Sequence, residues 1–392
     1  MVVTITISIL VLISIFIPRN YLKRYYILAA FVISSLYLFV DPTESDLTRL
    51  YGLVDAIKSA SVRDIIFLRE GNYGNYFLNL YMGHYMIFNL YAKLMSNLPR
   101  ALFVFIPSLI MYLLPIKLVF DEERQHKYAK WIYVFSYSAF LMCIDFLSIS
   151  AIRNIVVSYL FCFILYYDLT GKVKKVYCFA GYLLLNLIHS YAVFLLMIRL
   201  IIMISNKYTK YFIVIFVAAG YGFLVSENSL VTNLLSRSGF LSYALGRLNH
   251  YTDYTGTVVE SRRMYILIIY ILILITFALA NHFIAPAIEE KKKKYVNSMF
   301  DYLLFSTIFS IGSYAQYDTF IRGTFIVFPV WILLMQTYLS AIGGRRFGLI
   351  RCKNGENPAI NMVVYFSSFA IVLLLFFYLA RTGYDWMDSW FL

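Results

Sequence analysis

The sequence has little charge for its length. Only 14% of its 392 residues are charged, whereas 61% are hydrophobic, and the mean hydropathy is +0.72. A soluble core of this size could not hide so much apolar surface, so the composition predicts an integral membrane protein. Acidic residues are fewer than basic ones, with 21 Asp and Glu against 34 Lys and Arg. The basic residues lie mainly in short hinges between apolar runs, which indicates membrane topology and not a nucleic-acid partner.

Several chemical signatures are missing. The four cysteines, Cys143, Cys162, Cys178 and Cys352, lack metal-like spacing, and we predict neither a disulfide nor a metal site. There is no glycine-rich phosphate loop, so we expect no nucleotide-driven chemistry inside the cell and no cofactor. Residues 1–17 have no basic start and no small-residue cleavage site, and we interpret them as a retained first span.

Apolar runs of spanning length alternate with basic hinges. The pattern predicts an all-α, polytopic integral membrane bundle, a single transmembrane domain over 1–392 with about 12 or 13 membrane elements. Polar outer segments are predicted at 41–75 and 226–263. The segment before residue 77 is predicted to lie outside and the hinge after residue 120 in the cytoplasm, so an odd number of crossings is required and two full crossings do not fit. We therefore interpret the unusually polar run 77–94 as re-entrant.

The segment 176–204 lies between two lysine-rich hinges that are both predicted to be cytoplasmic. It must therefore cross the membrane an even number of times, yet it is shorter than the roughly 40 residues that two full spans require. We predict a pair of short helices that turns near His189. The turn would place this side chain at the floor of an outward-facing cavity.

Arg153, His189 and Arg322 interrupt or adjoin apolar sequence, where charged and titratable groups are unfavourable and usually face a polar cavity. Arginine pairs well with phosphate, and histidine suits proton transfer or hydrogen bonding to a sugar or diphosphate. The alternatives are interfacial arginine anchors, a histidine bonded to a neighbouring helix, and a simple Asp318–Arg322 pair along one helix face. Further polar candidates predicted on the outer side are Asp46, Arg49, Tyr51, Arg237, Arg247, His250 and Asp318.

Short motifs occur in a characteristic order: DLTRLY at Asp46–Tyr51, SAIRN at Ser150–Asn154, IHS at Ile188–Ser190 and, more loosely, DTFIRG at Asp318–Gly323. Together with the layout of spans, they resemble the EpsG family and the related Wzy-type polysaccharide polymerases of bacteria. That family often has glutamine after the helix-opening arginine, where this chain has Asn154.

The resemblance implies a GT-C-like glycosyltransferase of the bacterial inner (plasma) membrane with its active site facing outward. Such an enzyme transfers a growing glycan from undecaprenyl-diphosphate to another lipid-linked repeat unit. Arg153, His189 and Arg322 are the implied catalytic residues, and the further polar candidates would bind substrate. The implied partners are undecaprenyl-diphosphate-linked oligosaccharide, membrane lipid, and possible chain-length regulator and flippase proteins.

Three alternatives remain open from the residues alone. The first is a GT-C enzyme that adds one sugar from a lipid-phosphate donor, with Asp46 as the base. The second is a transporter or flippase of lipid-linked glycans, for which charged residues should reach both faces of the membrane. The third is a structural scaffold of an exopolysaccharide complex.

Overall fold

The structure is a computed structural model that describes residues 2–39, 46–59, 61–62, 65, 86–121, 129–143, 151–204, 206–225, 257–288, 290–314, 316–342 and 358–385. All regular secondary structure in these ranges is helical, with 14 α-helices and no strand. The all-α prediction is therefore confirmed.

The helices follow the apolar runs of the sequence. The first seven are α1 (Val2–Phe16), α2 (Arg19–Leu36), α3 (Asp46–Ile57), α4 (Met86–Met95), α5 (Arg100–Asp121), α6 (Lys130–Cys143) and α7 (Ile152–Thr170). The others are α8 (Lys175–Asn186), α9 (Tyr191–Met203), α10 (Lys207–Val225), α11 (Thr257–Phe283), α12 (Glu290–Gly312), α13 (Tyr317–Ile342) and α14 (Pro358–Asp385). Short 3-10 turns follow α2 at Tyr37–Phe39 and α11 at Ala285–Ala287.

Four of the described helices contain apolar stretches long enough to cross a membrane: Arg100–Phe120, Ile152–Thr170, Glu260–Phe283 and Thr319–Ala341. Shorter apolar helices accompany them. The chain is thus a multi-pass helical membrane protein, as predicted, while the total of 12 or 13 membrane elements stays a prediction. Helix α11 begins inside the predicted outer segment 226–263, and α3 lies within the segment 41–75.

The chain divides into two compact units. The first unit comprises residues 1–196, 335–351 and 375–392, and the second comprises 197–334 and 352–374. In the first unit, α5 packs against α2 and α7, α7 packs against α8, and α3 packs against α4. In the second unit, α12 packs against α10 and α11.

Buried tyrosines hold the first unit together. The hydroxyl of Tyr137 shares its one hydrogen between the backbone carbonyls of Tyr112 (3.2 Å) and Tyr26 (3.4 Å). The rings of Tyr26 and Tyr137 lie 4.1 Å apart, and the hydroxyls of Tyr37 and Tyr112 are hydrogen-bonded at 3.1 Å. Because a buried hydroxyl without a partner is unfavourable, these bonds fix how α2, α5 and α6 pack.

The hairpin of α7 and α8 is closed at its basic turn. Gly171 ends α7 in the left-handed conformation (φ 69°), which glycine adopts without the steric strain of a Cβ. One turn earlier, the buried Asp168 accepts a hydrogen bond of 3.1 Å from the hydroxyl of Tyr182. This bond links α8 to α7 and so fixes the position of α8, which leads to the turn at His189.

Helices α10 and α12 form the main helix pair of the second unit. Lys210 and Asp301 make an ion pair, and the hydroxyl of Tyr211 lies 3.5 Å from the same carboxylate. Farther along both helices, Gly312 lies so close to Ala218 that a Cβ on the glycine would meet the Ala218 carbonyl oxygen at 2.8 Å. The order of these contacts makes the two helices parallel.

Candidate functional site

Arg153 is the second residue of α7. The helix starts after Ala151, whose carbonyl accepts hydrogen bonds from the N–H groups of Asn154 (2.8 Å) and Ile155 (3.2 Å). The guanidinium of Arg153 is half-buried, and its carbon lies 5.3 Å from the centre of the Phe88 ring on α4. This is a cation–π contact, which orients the guanidinium while leaving its charge in place.

His189 lies in the turn between the two short helices α8 and α9, where the predicted helix pair 176–204 has its turn. The side chain is buried, with 9% of its surface exposed. Its Nδ1 atom accepts a hydrogen bond of 3.1 Å from the backbone N–H of Tyr191, the first residue of α9. The first N–H groups of a helix have no partner within the helix, so this bond stabilises the start of α9.

The hydrogen bond also selects the tautomer of the imidazole. Because Nδ1 of His189 accepts a hydrogen bond, the neutral ring must carry its own proton on Nε2. In this state Nε2–H is a hydrogen-bond donor. A general base needs a free nitrogen lone pair, so the geometry favours a donor role for His189 over the base role considered from sequence.

Helix α4 connects Arg153 to the His189 turn. The backbone N–H of Ile87 donates a hydrogen bond of 2.9 Å to the carbonyl of Leu187, two residues before His189. The next residue, Phe88, carries the ring against which Arg153 lies. Two consecutive residues of α4 thus touch both candidate elements, and the first unit brings Arg153 and the His189 turn to the same helix end.

Helix α4 covers the second part of the polar run 77–94. Its ten residues give a length of about 15 Å, roughly half of the hydrocarbon thickness. Helix α5, with 22 residues, is long enough to cross. One full crossing in this region fits the hinge charges, while the re-entrant placement of the run stays a prediction, since residues 77–85 lie outside the described ranges.

An aromatic cluster lies at the first turns of α4 and consists of Tyr51, Phe88, Tyr91 and Phe103. Phe103 lies 5.8 Å from Phe88, 5.3 Å from Tyr91 and 6.0 Å from Tyr51, measured between ring centres. Tyr51 is therefore connected to Arg153 through two rings. All four rings contribute to packing, and Tyr51, Phe88 and Phe103 are buried, so the cluster supports the site more than it presents a surface for a sugar.

A proline in α5 leaves a backbone carbonyl to which Tyr91 donates a hydrogen bond. Pro107 has no N–H and leaves the carbonyl of Phe103, four residues earlier, without its helical partner. The hydroxyl of Tyr91 donates a 2.7 Å hydrogen bond to that carbonyl. This bond fixes α4 on α5 and thereby holds Phe88 under Arg153.

Helix α3 carries three of the candidates from the first motif. Tyr51 is buried, and the guanidinium carbon of Arg100 lies 6.0 Å from its ring. Arg100 also pairs with Asp55 on α3 at 2.6 Å, and Lys93 donates to the carbonyls at the end of α3 (Ile57, 3.3 Å, and Lys58, 2.8 Å). These contacts attach α3 to α4 and α5. The backbones of Asp46 and Arg49 belong to α3, but their side chains lie outside the description.

Asn154 is a polar residue of the candidate site whose only signal in the sequence is its place in the SAIRN motif. It is buried, with 5% of its surface exposed, directly after Arg153. Its Oδ1 atom is enclosed and accepts no hydrogen bond from the described part of the chain. Buried amide oxygens that accept no hydrogen bond are uncommon, so, within the described residues, the start of α7 contains an unsatisfied polar group beside Arg153.

Arg322 belongs to the second unit and is half-buried on α13. The backbone near it is tightly packed, since Tyr270 of α11 donates a 3.1 Å hydrogen bond to the carbonyl of Phe320. Gly323 approaches Ser310 of α12 so closely that a Cβ could not fit without displacing the serine. The small residue in DTFIRG is therefore required by packing. The side chain of Asp318 is not described, so its predicted pairing with Arg322 stays a prediction.

The second unit contains two arginines that are not among the predicted site residues. Arg262 and Arg263 lie in the second turn of α11, and Arg262 is buried with 7% of its surface exposed. The guanidinium carbon of Arg263 lies 5.4 Å from the Tyr317 ring centre and 6.0 Å from that of Tyr314. Their signal in the sequence was their position at the start of a long apolar run.

The remaining candidates, Arg237, Arg247 and His250, lie outside the described residues. In the ranges that the structure covers, no three His, Cys, Asp or Glu side chains come together as metal ligands. Comparisons of the chain with family models, with curated proteins and with solved structures find no match. Function is therefore inferred from the geometry of the residues themselves.

Proposed function

We propose that the protein is a membrane glycosyltransferase that polymerises lipid-linked glycan units, and that Arg153 and His189 act in it together. The observation that carries the proposal is the contact of consecutive residues of α4 with both elements, Phe88 with Arg153 and Ile87 with the His189 turn. Separate anchors at the membrane surface would not need such a connection.

The chemistry follows from the two side chains. A guanidinium keeps its charge at any depth and can pair bidentately with a diphosphate, which is the leaving group when a glycan moves off its lipid carrier. Arg153 also lies in the first turn of α7, so the positive end of the helix dipole adds to the same attraction. Together they would stabilise the negative charge that grows on the leaving diphosphate.

His189 would assist as a donor. With Nδ1 bonded to the N–H of Tyr191, the Nε2–H of the neutral ring can hydrogen-bond to a diphosphate oxygen or to a sugar. The base that takes the proton from the attacking hydroxyl would be another group. In this proposal Arg322, Asp46, Arg49, Tyr51, Arg237, Arg247, His250 and Asp318 contribute to binding the two lipid-linked substrates.

The test is a polymerisation assay with purified protein in proteoliposomes and lipid-linked repeat units, read as a ladder of products. Arg153→Ala and His189→Ala should each reduce chain growth by about 100-fold or more, the usual effect of removing a group that stabilises transition-state charge. Matched controls are Arg24→Ala and His282→Ala, which change the same residue types at exposed positions and should grow chains normally.

The outcome has clear alternatives. Wild-type chain growth by both well-folded variants would refute the site. A single added sugar in place of a ladder would indicate the GT-C enzyme with a lipid-phosphate donor. Movement of lipid-linked glycan across the bilayer without a new glycosidic bond would indicate a flippase.

A further inference from the structure

The start of helix α11 has an unusual charge arrangement. Arg262 and Arg263 lie in its second turn, where the positive end of the helix dipole makes a further positive charge unfavourable. The acidic residue of the first turn, Glu260, stands three residues before Arg263, at a spacing that permits an ion pair. The two side chains form none, and Glu260 is exposed.

Two tyrosine rings hold Arg263 instead of a carboxylate. Its guanidinium lies against Tyr317 and Tyr314 at 5.4 and 6.0 Å, and the hydroxyl of Tyr314 is directed to the sulfur of Met264 at 3.5 Å. Cation–π contacts orient a guanidinium but do not neutralise it. The Nε and Nη2 atoms of Arg263 are enclosed and donate no hydrogen bond within the described chain.

Because these two nitrogens have no acceptor in the described chain and the side chain is only half-buried, the guanidinium keeps its capacity to bind an anionic oxygen at its exposed edge. The position suggests which anion. Arg263 lies near the first residue of the apolar stretch Glu260–Phe283, at the level where a membrane has its phosphate groups. Arginine and tyrosine are residue types that suit this level.

We infer that Arg262, Arg263, Tyr314 and Tyr317 form a binding site for a phosphate group at one membrane surface of the second unit. The tyrosine rings set the plane of the Arg263 guanidinium, and the exposed edge of this half-buried group binds the phosphate oxygens. Arg262 lies beside it in the same helical turn. The phosphate can belong to an anionic membrane lipid or to an isoprenoid diphosphate, since both present phosphate oxygens to the planar guanidinium group.

The test is a binding titration with the purified full-length chain in a neutral detergent, followed by microscale thermophoresis. One arm uses dioctanoyl phosphatidylglycerol and the other uses farnesyl diphosphate. Arg263→Gln should weaken binding of at least one probe by about tenfold or more, the value of a hydrogen bond to a charged group. Arg24→Gln, the same change at an exposed arginine of α2, should bind as the wild type does.

The arms separate the sources of the phosphate. A loss confined to phosphatidylglycerol supports the site as one for lipid headgroups, a loss confined to farnesyl diphosphate supports a site for the lipid carrier, and a loss in both supports phosphate recognition in general. Unchanged affinity for both probes, or an equal loss in Arg24→Gln, would overturn the inference.

A second variant decides the matter if Arg263→Gln does not fold. Arg263→Lys keeps the charge and loses the planar guanidinium group, so it should bind the affected probe several-fold more weakly than the wild type. Wild-type affinity in Arg263→Lys would overturn the role of the guanidinium geometry. Binding is measured without turnover, so the result does not depend on whether the chain polymerises glycans.

Discussion

Two charged positions of the second unit differ in how their charge is balanced. Lys210 and Asp301 face each other across α10 and α12, with only 14% and 15% of their side chains exposed. Arg263 of α11 lies on the rings of Tyr314 and Tyr317 and contacts no carboxylate in the described chain. One charge is neutralised by a partner, whereas the other is only oriented.

The difference indicates separate roles. A neutralised pair has little attraction left for an external ion and mainly holds two helices in one register. A guanidinium on aromatic rings keeps its full charge and its hydrogen-bond donors. The guanidinium of Arg153 also lies over an aromatic ring, that of Phe88. Charged residues in apolar sequence are thus not equal candidates for function, and the type of partner separates them.

The largest effect on stability is expected from breaking the neutralised pair. Asp301→Ala leaves Lys210 largely buried without its partner, and the free energy of unfolding should fall by about 3–5 kcal/mol. Unfolding in mixed detergents with increasing dodecyl sulfate measures this change. The double variant Lys210→Met/Asp301→Leu removes both charges and should recover most of the loss. A double variant as unstable as Asp301→Ala would show that packing, and not charge, explains the effect.

A smaller effect is expected at the ring-held arginine. Tyr317→Leu removes one of the two rings from Arg263 but retains an apolar side chain, so stability should fall by about 1–2 kcal/mol. The same unfolding titration measures it, and Tyr317→Phe, which keeps the ring, is the matched control. If Tyr317→Phe is as destabilised as Tyr317→Leu, the hydroxyl group and not the ring supports the arginine.

The sequence was sufficient for the class of fold and for naming part of the candidate site. Apolar runs and basic hinges predict an all-helical membrane bundle, and the short segment between two lysine hinges predicts two helices where α8 and α9 lie. These features depend on local composition and length. The sequence also identifies Arg153 and His189 as exceptions, because a single polar residue in apolar sequence needs no structure to be noticed.

The contacts of α4 could not be predicted in the same way. Ile87 bonds to Leu187 and Phe88 contacts Arg153 across long stretches of chain, and no periodicity encodes such pairs. The tautomer of His189 likewise depends on one backbone N–H of its own turn. Tertiary contacts of this kind decide what a side chain can do, and they appear only once the helices are packed.

The smallest effect is expected at the exposed pair of Asp55 and Arg100, which completes the comparison. These side chains are 2.6 Å apart, as close as a strong ion pair, but 54% and 63% of their surfaces are exposed. Water and salt screen such charges, so Asp55→Ala should change the free energy of unfolding by at most about 1 kcal/mol. The same detergent titration at low and high salt should find this small loss shrinking with ionic strength. A loss as large as that of Asp301→Ala would mean that distance, and not burial, determines the strength of charge pairing in this protein.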